Sequence, residues 1–191
     1  ITSSPTGGSG SGASPISVTG LTGNTAYTFT VTATNTTGSS TSGSTGSITT
    51  KPSAPTIGSA SATDYNSASV TYTAPSGGAT SYSITSSPAG GSGSGASPIS
   101  VTNLTGNTTY TFTVTATNTT GSSTSGSTGS ITTKPGPPTS VSASATDYNS
   151  ASVTYTAPSG GATSYSITSS PDRKSTRLNS SHTDISRMPS S

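Results

Sequence analysis

The stretch Leu104–Val114, which reads LTGNTTYTFTV, decides the fold class of this 191-residue chain. From Tyr110 to Ala116, apolar residues alternate with threonine, so that a β-strand would carry four apolar side chains on one face and hydroxyl groups on the other. Aromatic and β-branched residues favour such half-buried strands, whereas a high content of serine and threonine disfavours helix. The sequence therefore predicts an all-β fold.

Shorter alternating stretches lie on both sides of this strand. Ser69–Thr73 alternates valine and tyrosine with hydroxyl residues, and Ile57 marks a weaker first strand. Glycine, proline and asparagine separate the stretches, as is typical of turns. We expect about seven short strands in an antiparallel sandwich, with Gly90–Ser97 as a loop. The other strands of this region are predicted at Tyr82–Ile84, Pro98–Val101 and Ser130–Thr133.

The same pattern recurs along the chain with a period of 83 residues. Tyr27 recurs as Tyr110, and the segment 1–52 differs from 84–135 at only three positions. A period of this length matches one small β-sandwich domain. The sequence thus predicts tandem sandwiches that are truncated at both ends. The predicted divisions are the C-terminal half of one domain (1–52), a complete domain (53–136) and the N-terminal half of a third (137–171).

Residues 172–191 break the repeat and form a tail of different composition. The tail holds four of the six Lys and Arg residues and the only His and Met. Asp172–His182 and Ser186–Ser191 resemble the translation of two constant stretches of a common sequencing-library adapter. We therefore expect a non-native, disordered tail. The rest of the chain has two Lys and two Asp, so its net charge is zero and the basic overall composition does not indicate a nucleic-acid partner.

Several stretches resemble fibronectin type III domains, which have an immunoglobulin-like fold. Leu104–Val114 and its copy Leu21–Val31 resemble the turn between strands E and F of that family, and Ala116–Gly121 resembles the following F–G turn. Pro55 and Pro138 stand where the family's domains begin. One departure is that Tyr72 replaces the tryptophan typical of strand B, and another is that the loop Gly90–Ser97 replaces strand C′.

The resemblance implies structural roles for ten residues. The leucines would fill the core beneath the turn, and the tyrosine hydroxyls would return to the upstream backbone as a tyrosine corner. Because tyrosine buries less surface than tryptophan and brings a hydroxyl group, we expect a less stable core than in the family at large. The implied corner and core residues are Leu21, Tyr27, Leu104, Tyr110, Val70, Tyr72, Tyr82, Ile84, Phe112 and Val114.

The residues that catalysis requires are scarce. Before residue 172 the chain has no Cys, Glu or His, so that no catalytic triad, carboxylate pair or thiolate metal site can be assembled. Asp64 and Asp147 fit turn-stabilising roles better than calcium binding. The loop Gly91–Gly95 is not followed by a helix, and therefore does not predict a phosphate site. We expect no enzyme activity, no cofactor and no bound metal.

The composition and the resemblance together predict a structural role. Near-identical, threonine-rich copies resemble the arrays of bacterial secreted and surface proteins, which implies a spacer or adhesion array outside the cell or on its surface. The alternative is a module that binds carbohydrate or another surface ligand beside a flanking enzyme, with Tyr65 and Tyr148 as the candidate ligand residues. The expected partners are neighbouring repeats and surface glycans or proteins. We expect no nucleic-acid partner and no membrane insertion.

Overall fold

The computed structural model describes residues 1–170 and contains β-strands but no helix over that range. It confirms the all-β fold class. The expectation of a non-native tail at 172–191 lies outside the described residues. The strands are β1 Thr2–Ser4, β2 Ala26–Thr30, β3 Thr32–Asn35, β4 Gly38–Thr41, β5 Ile48–Thr49, β6 Thr56–Asp64, β7 Ser67–Thr73, β8 Ser81–Ser87, β9 Ser92–Ser94, β10 Ile99–Val101, β11 Thr109–Asn118, β12 Gly121–Ser127, β13 Ile131–Thr132, β14 Thr139–Asp147 and β15 Ser150–Thr156.

The middle segment, residues 53–136, folds as two facing antiparallel sheets. One sheet has the order β10-β7-β6, and the other has the order β12-β11-β8-β9, with β13 also paired to β11. The long strand β11 aligns Val114 with Ile84 of β8, so apolar residues from neighbouring strands stand side by side. Cross-strand pairs of this kind are the unit of sheet stabilisation.

The core lies between these two sheets. Val70 and Val101 come from the first sheet, and Ile84, Phe112 and Val114 come from the second; all five are fully buried. Along β11 every second residue is buried, because successive side chains of a strand point to opposite faces. Each large apolar side chain buried in this way contributes about 1.5–3 kcal/mol of transfer free energy.

Two strands of the middle segment differ from the sequence prediction. Ser92–Ser94, predicted as part of a loop, forms β9 and pairs with β8, so strand C′ is present. Gly121–Ser127 forms β12 along β11, although only Ser130–Thr133 was predicted at this edge. Both strands consist of serine, threonine and glycine, and they are held by main-chain hydrogen bonds. Their sequence therefore lacks the apolar alternation that identifies a strand.

The flanking segments, residues 1–52 and 137–170, form smaller sheets. In 1–52, β1, β2 and β5 form one sheet and β3 pairs with β4. In 137–170, β14 pairs with β15. The hairpin β14–β15 repeats β6–β7 except that Ser140-Val141 replaces Ile57-Gly58, and the sheet β1-β2-β5 corresponds to parts of β8, β11 and β13. Each flanking segment therefore reproduces part of the middle sandwich.

Candidate functional site

The charged side chains of residues 1–170 are few, and they do not form a catalytic cluster. Asp64 accepts a hydrogen bond from the Tyr65 backbone amide at 2.8 Å, and Asp147 accepts one from Tyr148 at 2.7 Å. Both carboxylates thus cap the turn between two strands. Over the described residues, no three His, Cys, Asp or Glu side chains come close enough to hold a metal ion.

The turn before β11 has the tyrosine at its centre. The buried Tyr110 hydroxyl accepts a hydrogen bond from the Thr105 backbone amide at 3.0 Å, and Tyr27 accepts the same bond from Thr22 at 3.0 Å. Leu104 is buried beneath the turn, whereas its counterpart Leu21 is only half buried. The same turn therefore forms in both copies, but the leucine is better covered in the middle segment.

A threonine that the sequence analysis did not single out ties this turn to the end of the domain. The Thr133 hydroxyl donates a hydrogen bond to the Thr105 carbonyl at 2.7 Å and accepts one from the Thr108 amide at 3.1 Å. Thr133 is buried, and so these bonds replace water contacts that the groups would otherwise need. Its repeat at the same spacing is Thr50, which makes the equivalent bonds to Thr22 and Thr25.

The two tyrosines implied for the core lie together at one end of it. The Tyr72 and Tyr82 rings have centroids 4.8 Å apart, with Tyr72 buried and Tyr82 half buried. The Tyr72 hydroxyl donates to the Gly95 carbonyl at 3.0 Å. Burial raises the pKa of Tyr72 above its ordinary value, and the neighbouring Tyr82 raises it further. The other implied core residues, Val70, Ile84, Phe112 and Val114, lie in the buried cluster.

A cleft of about 590 Å³ opens beside this tyrosine pair. It is lined by Tyr82, by hydroxyl groups such as those of Thr80 and Ser94, and by the backbone at Gly95. The residues that line it are all uncharged. The Tyr72 hydroxyl already has its hydrogen-bond partner at Gly95.

Tyr65 and Tyr148, the two residues predicted to bind a ligand, occupy equivalent positions in successive repeats and do not form one site. Tyr65 lines a shallow cleft together with Pro137 and Pro158, where the middle segment meets the one that follows. Tyr148 has no such cover and is 93% exposed. The structure therefore places Tyr65 at a contact between repeats and Tyr148 in the open.

Within the described residues 1–170, several side-chain hydrogen bonds join the segment 1–52 to the middle segment. Asn118, the last residue of β11, is buried and uses its whole amide group. Its Nδ2 donates to Asn24 Oδ1 and to the Thr50 carbonyl, both at 2.8 Å. Its Oδ1 accepts from the backbone amides of Thr120 at 2.9 Å and Gly121 at 3.1 Å. The Oδ1 atom of this amide thus stabilises the turn that follows Asn118, and its Nδ2 atom binds the preceding segment.

Three further side-chain hydrogen bonds cross the same boundary. The Thr120 hydroxyl donates to the Thr49 carbonyl at 2.8 Å, and the Ser123 hydroxyl donates to the Pro52 carbonyl at 2.7 Å. In the opposite direction, Asn24 Nδ2 donates to the Gly77 carbonyl at 2.8 Å. We call these contacts, with those of Asn118 to Asn24 and Thr50, the asparagine clasp.

Part of the clasp recurs at the next boundary. Asn107 Nδ2 donates to the Gly160 carbonyl at 2.9 Å, one period after the Asn24–Gly77 bond. At both boundaries a glycine of positive φ lies against the preceding turn, so closely that a Cβ on Gly77 or Gly160 would overlap the carbonyl oxygen of Gly23 or Gly106. Only glycine fits here, because of both the backbone conformation and the space.

Sequence reasoning missed the clasp because its residues have ordinary roles in turns. Asn24 and Asn107 have positive φ, which asparagine tolerates, and Asn118 caps its own turn. The sequence does show that these asparagines recur every 83 residues. This recurrence does not indicate which turn of one repeat contacts which turn of the next.

The match to a protein-family model supports the fold. Residues 53–132 match the family model of the fibronectin type III domain. The crystal structure of titin domains A168-A170 is 21% identical and has a TM-score of 0.37, covering 67% of this chain and 49% of that one. The FN1-FN3 domains of chicken CNTN1 are 20% identical with a TM-score of 0.33, covering 62% of this chain and 48% of that one. No curated protein sequence matches the chain.

The chain spans about half the length of each of these two structures. The family match covers the middle segment, where two facing sheets enclose one core. The chain therefore contains a fibronectin type III domain over residues 53–132.

Proposed function

We propose that the chain is a non-catalytic spacer or adhesion array of an extracellular or cell-surface protein, built from successive copies of one domain. Domains of this family are typically structural or adhesion modules of extracellular proteins, and they are generally non-catalytic. Among the described residues, no helix is long and apolar enough to cross a membrane.

The observation that carries the proposal is the outer face of the sheet formed by β8, β11 and β12. Here threonine hydroxyls bond to one another across the strands, with Thr85–Thr113 at 3.0 Å and Thr115–Thr124 at 3.1 Å. Such a face is neutral, and part of its hydrogen-bonding capacity is used internally. It therefore has less to offer a charged or polar partner than a face with free side chains, as suits a module that extends a protein.

The alternative, a carbohydrate-binding module beside a flanking enzyme, has one observation in its favour. The Tyr148 ring is 93% exposed, and binding sites for sugars commonly use an exposed aromatic ring as an apolar surface with a polar edge. Its counterpart Tyr65 is partly covered by the segment that follows. In a continuous array only a terminal tyrosine would stay open, which favours the spacer function.

Binding of the full chain to a glycan array and to extracellular matrix proteins distinguishes the spacer or adhesion function from carbohydrate binding. The spacer function predicts no glycan binding for the unmodified chain. Glycan binding that is lost in Tyr148→Ala but kept in the matched variant Tyr65→Ala would select the carbohydrate-binding alternative. Binding to a matrix protein that survives both substitutions would select adhesion over a passive spacer.

A further inference from the structure

We propose that the asparagine clasp fixes the angle between successive repeats, and that Asn35, Thr37 and Ser40 form the docking surface for another copy of the repeat. The proposal rests on the array function above and adds its geometry. The partner of this surface is the end of a preceding repeat, formed by the asparagine turn and the Thr-Thr-Lys-Pro stretch. In this chain the end at Asn24 and Thr49–Pro52 is already held by the middle segment, so the end that a second molecule offers is the next copy, at Asn107 and Thr132–Pro135.

The comparison of Asn118 with Asn35 carries the argument. Both asparagines accept hydrogen bonds from the two backbone amides of their own turn, at 2.9 and 3.1 Å in each case. The turn is therefore the same with and without a docked repeat. Asn118 is 8% exposed because the preceding segment covers it, whereas Asn35 is exposed. The side-chain amide of Asn35 is therefore oriented by its own turn in the same way as that of Asn118, whose Nδ2 donates to Asn24 and Thr50.

The other two positions of the docking surface show the same correspondence. Thr37 and Ser40 stand one period before Thr120 and Ser123, which donate to the carbonyls of Thr49 and Pro52. Thr37 and Ser40 are both exposed. The Asn35 surface therefore carries the same hydroxyl donors that bind the carbonyls of the Thr-Thr-Lys-Pro stretch at the first boundary.

The connection between repeats is itself short and stiff. Pro52 and Pro55 are both buried, and proline fixes its own backbone dihedral φ. The side-chain stem of Lys51 lies over Gly121, where a Cβ would overlap it. Because five clasp bonds join the two segments, rotation of one segment against the other would break several contacts at once. We therefore infer a rod of fixed angle, and not a string of independently moving domains.

Distance measurement between two spin labels in the full chain tests this inference. The chain has no cysteine, so Thr19→Cys and Thr102→Cys introduce two unique labels at equivalent, exposed positions of successive repeats. We expect a single narrow distance distribution. Asn118→Asp keeps the acceptor for its own turn but removes the donor to Asn24 and Thr50, and the narrow peak should be lost.

The matched control is Asn35→Asp, which makes the same chemical change in the same turn but outside the boundary. It should leave the peak unchanged. Equal broadening by both variants, or a broad distribution in the unmodified labelled chain, would overturn the proposal. Because a carboxylate buried at position 118 could disturb the fold itself, the uncharged pair Thr120→Val and Ser123→Ala is compared with Thr37→Val and Ser40→Ala, and only the first pair should broaden the distribution.

The docking surface is tested with a second copy of the chain carrying one label. The label on the added chain should show contact with the Asn35 surface of the other molecule. Asn35→Asp in that other molecule should abolish the contact, whereas Asn118→Asp, assayed in parallel, should retain it. Absence of contact at high concentration would refute the docking surface. Neither outcome bears on glycan binding, so failure of the clasp and failure of the spacer function are separately visible.

Discussion

The middle segment and the segments that flank it share almost one sequence but bury it differently. Val114 in β11 is 0% exposed, whereas its counterpart Val31 is 43% exposed. Ile84 in β8 is 1% exposed, and its counterpart Ile167 is 63% exposed. The local residues are the same in each pair. Val31 lies between β2 and β3, and Ile167 lies beyond β15 in no strand, so the difference arises from the structure that surrounds each residue.

This contrast separates what a strand sequence contributes from what its surroundings contribute. The hairpin β14–β15 forms with the same pairing as β6–β7, including Ala143 opposite Val153 where the middle segment pairs Ala60 with Val70. Pairing within this hairpin therefore follows from the local pattern, whereas residues 164–170, which have the same sequence as β8, form no strand. Burial of the apolar face, which supplies most of the stability of a sandwich, depends on the opposite sheet.

Hydrogen exchange should show the largest difference. Residues 67–73 and 150–156 have the identical sequence SASVTYT, so their intrinsic exchange rates are the same. We expect amides of β7 to exchange slower than those of β15 by at least about three orders of magnitude, since core strands open with close to the global free energy. The measurement is hydrogen exchange by NMR on the full chain. Equal protection of Val70 and Val153 would show that burial is not what distinguishes the two segments.

Removal of the leucine beneath the tyrosine turn should give the next largest difference. Leu104→Ala creates a cavity in the buried core and should lower the free energy of unfolding of the middle segment by about 2–5 kcal/mol. Leu21→Ala, in the half-buried copy, should cost clearly less. Exchange rates of amides in β11 and β2 of each variant report the two costs. A loss below about 0.5 kcal/mol for Leu104→Ala would contradict its place in the core.

The tyrosine hydroxyl should show a smaller effect that is similar in both segments. Tyr110→Phe leaves the Thr105 amide without its partner, and Tyr27→Phe does the same to Thr22. Each should cost about 1 kcal/mol, because the lost hydrogen bond is part-buried in both. Chemical denaturation followed by exchange at Thr105 and Thr22 measures both. A cost confined to Tyr110→Phe would mean that the turn depends on the second sheet.

The smallest expected effect is on the free energy of unfolding of the middle segment at alkaline pH. Burial raises the pKa of Tyr72 above its ordinary value of 10.0, so the unfolded chain loses this proton at lower pH than the folded one. The stability contribution is complete below pH 10 and declines as the pH rises through the folded pKa. Tyr72→Phe should remove this part of the alkaline decline, as followed by denaturant titrations from about pH 8 to about pH 11. If stability declines equally with pH in Tyr72→Phe, the decline arises from titratable groups other than Tyr72.

The fold class could be predicted from the sequence because β11 alternates hydroxyl and apolar residues from Thr109 to Thr117. The edge strands β9 and β12 could not, since their serine and glycine residues carry no apolar signal and their stability comes from backbone pairing. The clasp could not be predicted either. It joins Asn24 to Asn118, which are 94 residues apart, and their contact depends on the angle between two segments.

The five hydrogen bonds of the clasp also determine how the array responds to its medium. All of them join neutral amide, hydroxyl and carbonyl groups. Ionic strength screens charges but has little effect on short bonds between neutral groups. We therefore expect an array joined in this way to keep the same angle between its repeats in fresh water, in serum and in brine, with a length set by the number of repeats.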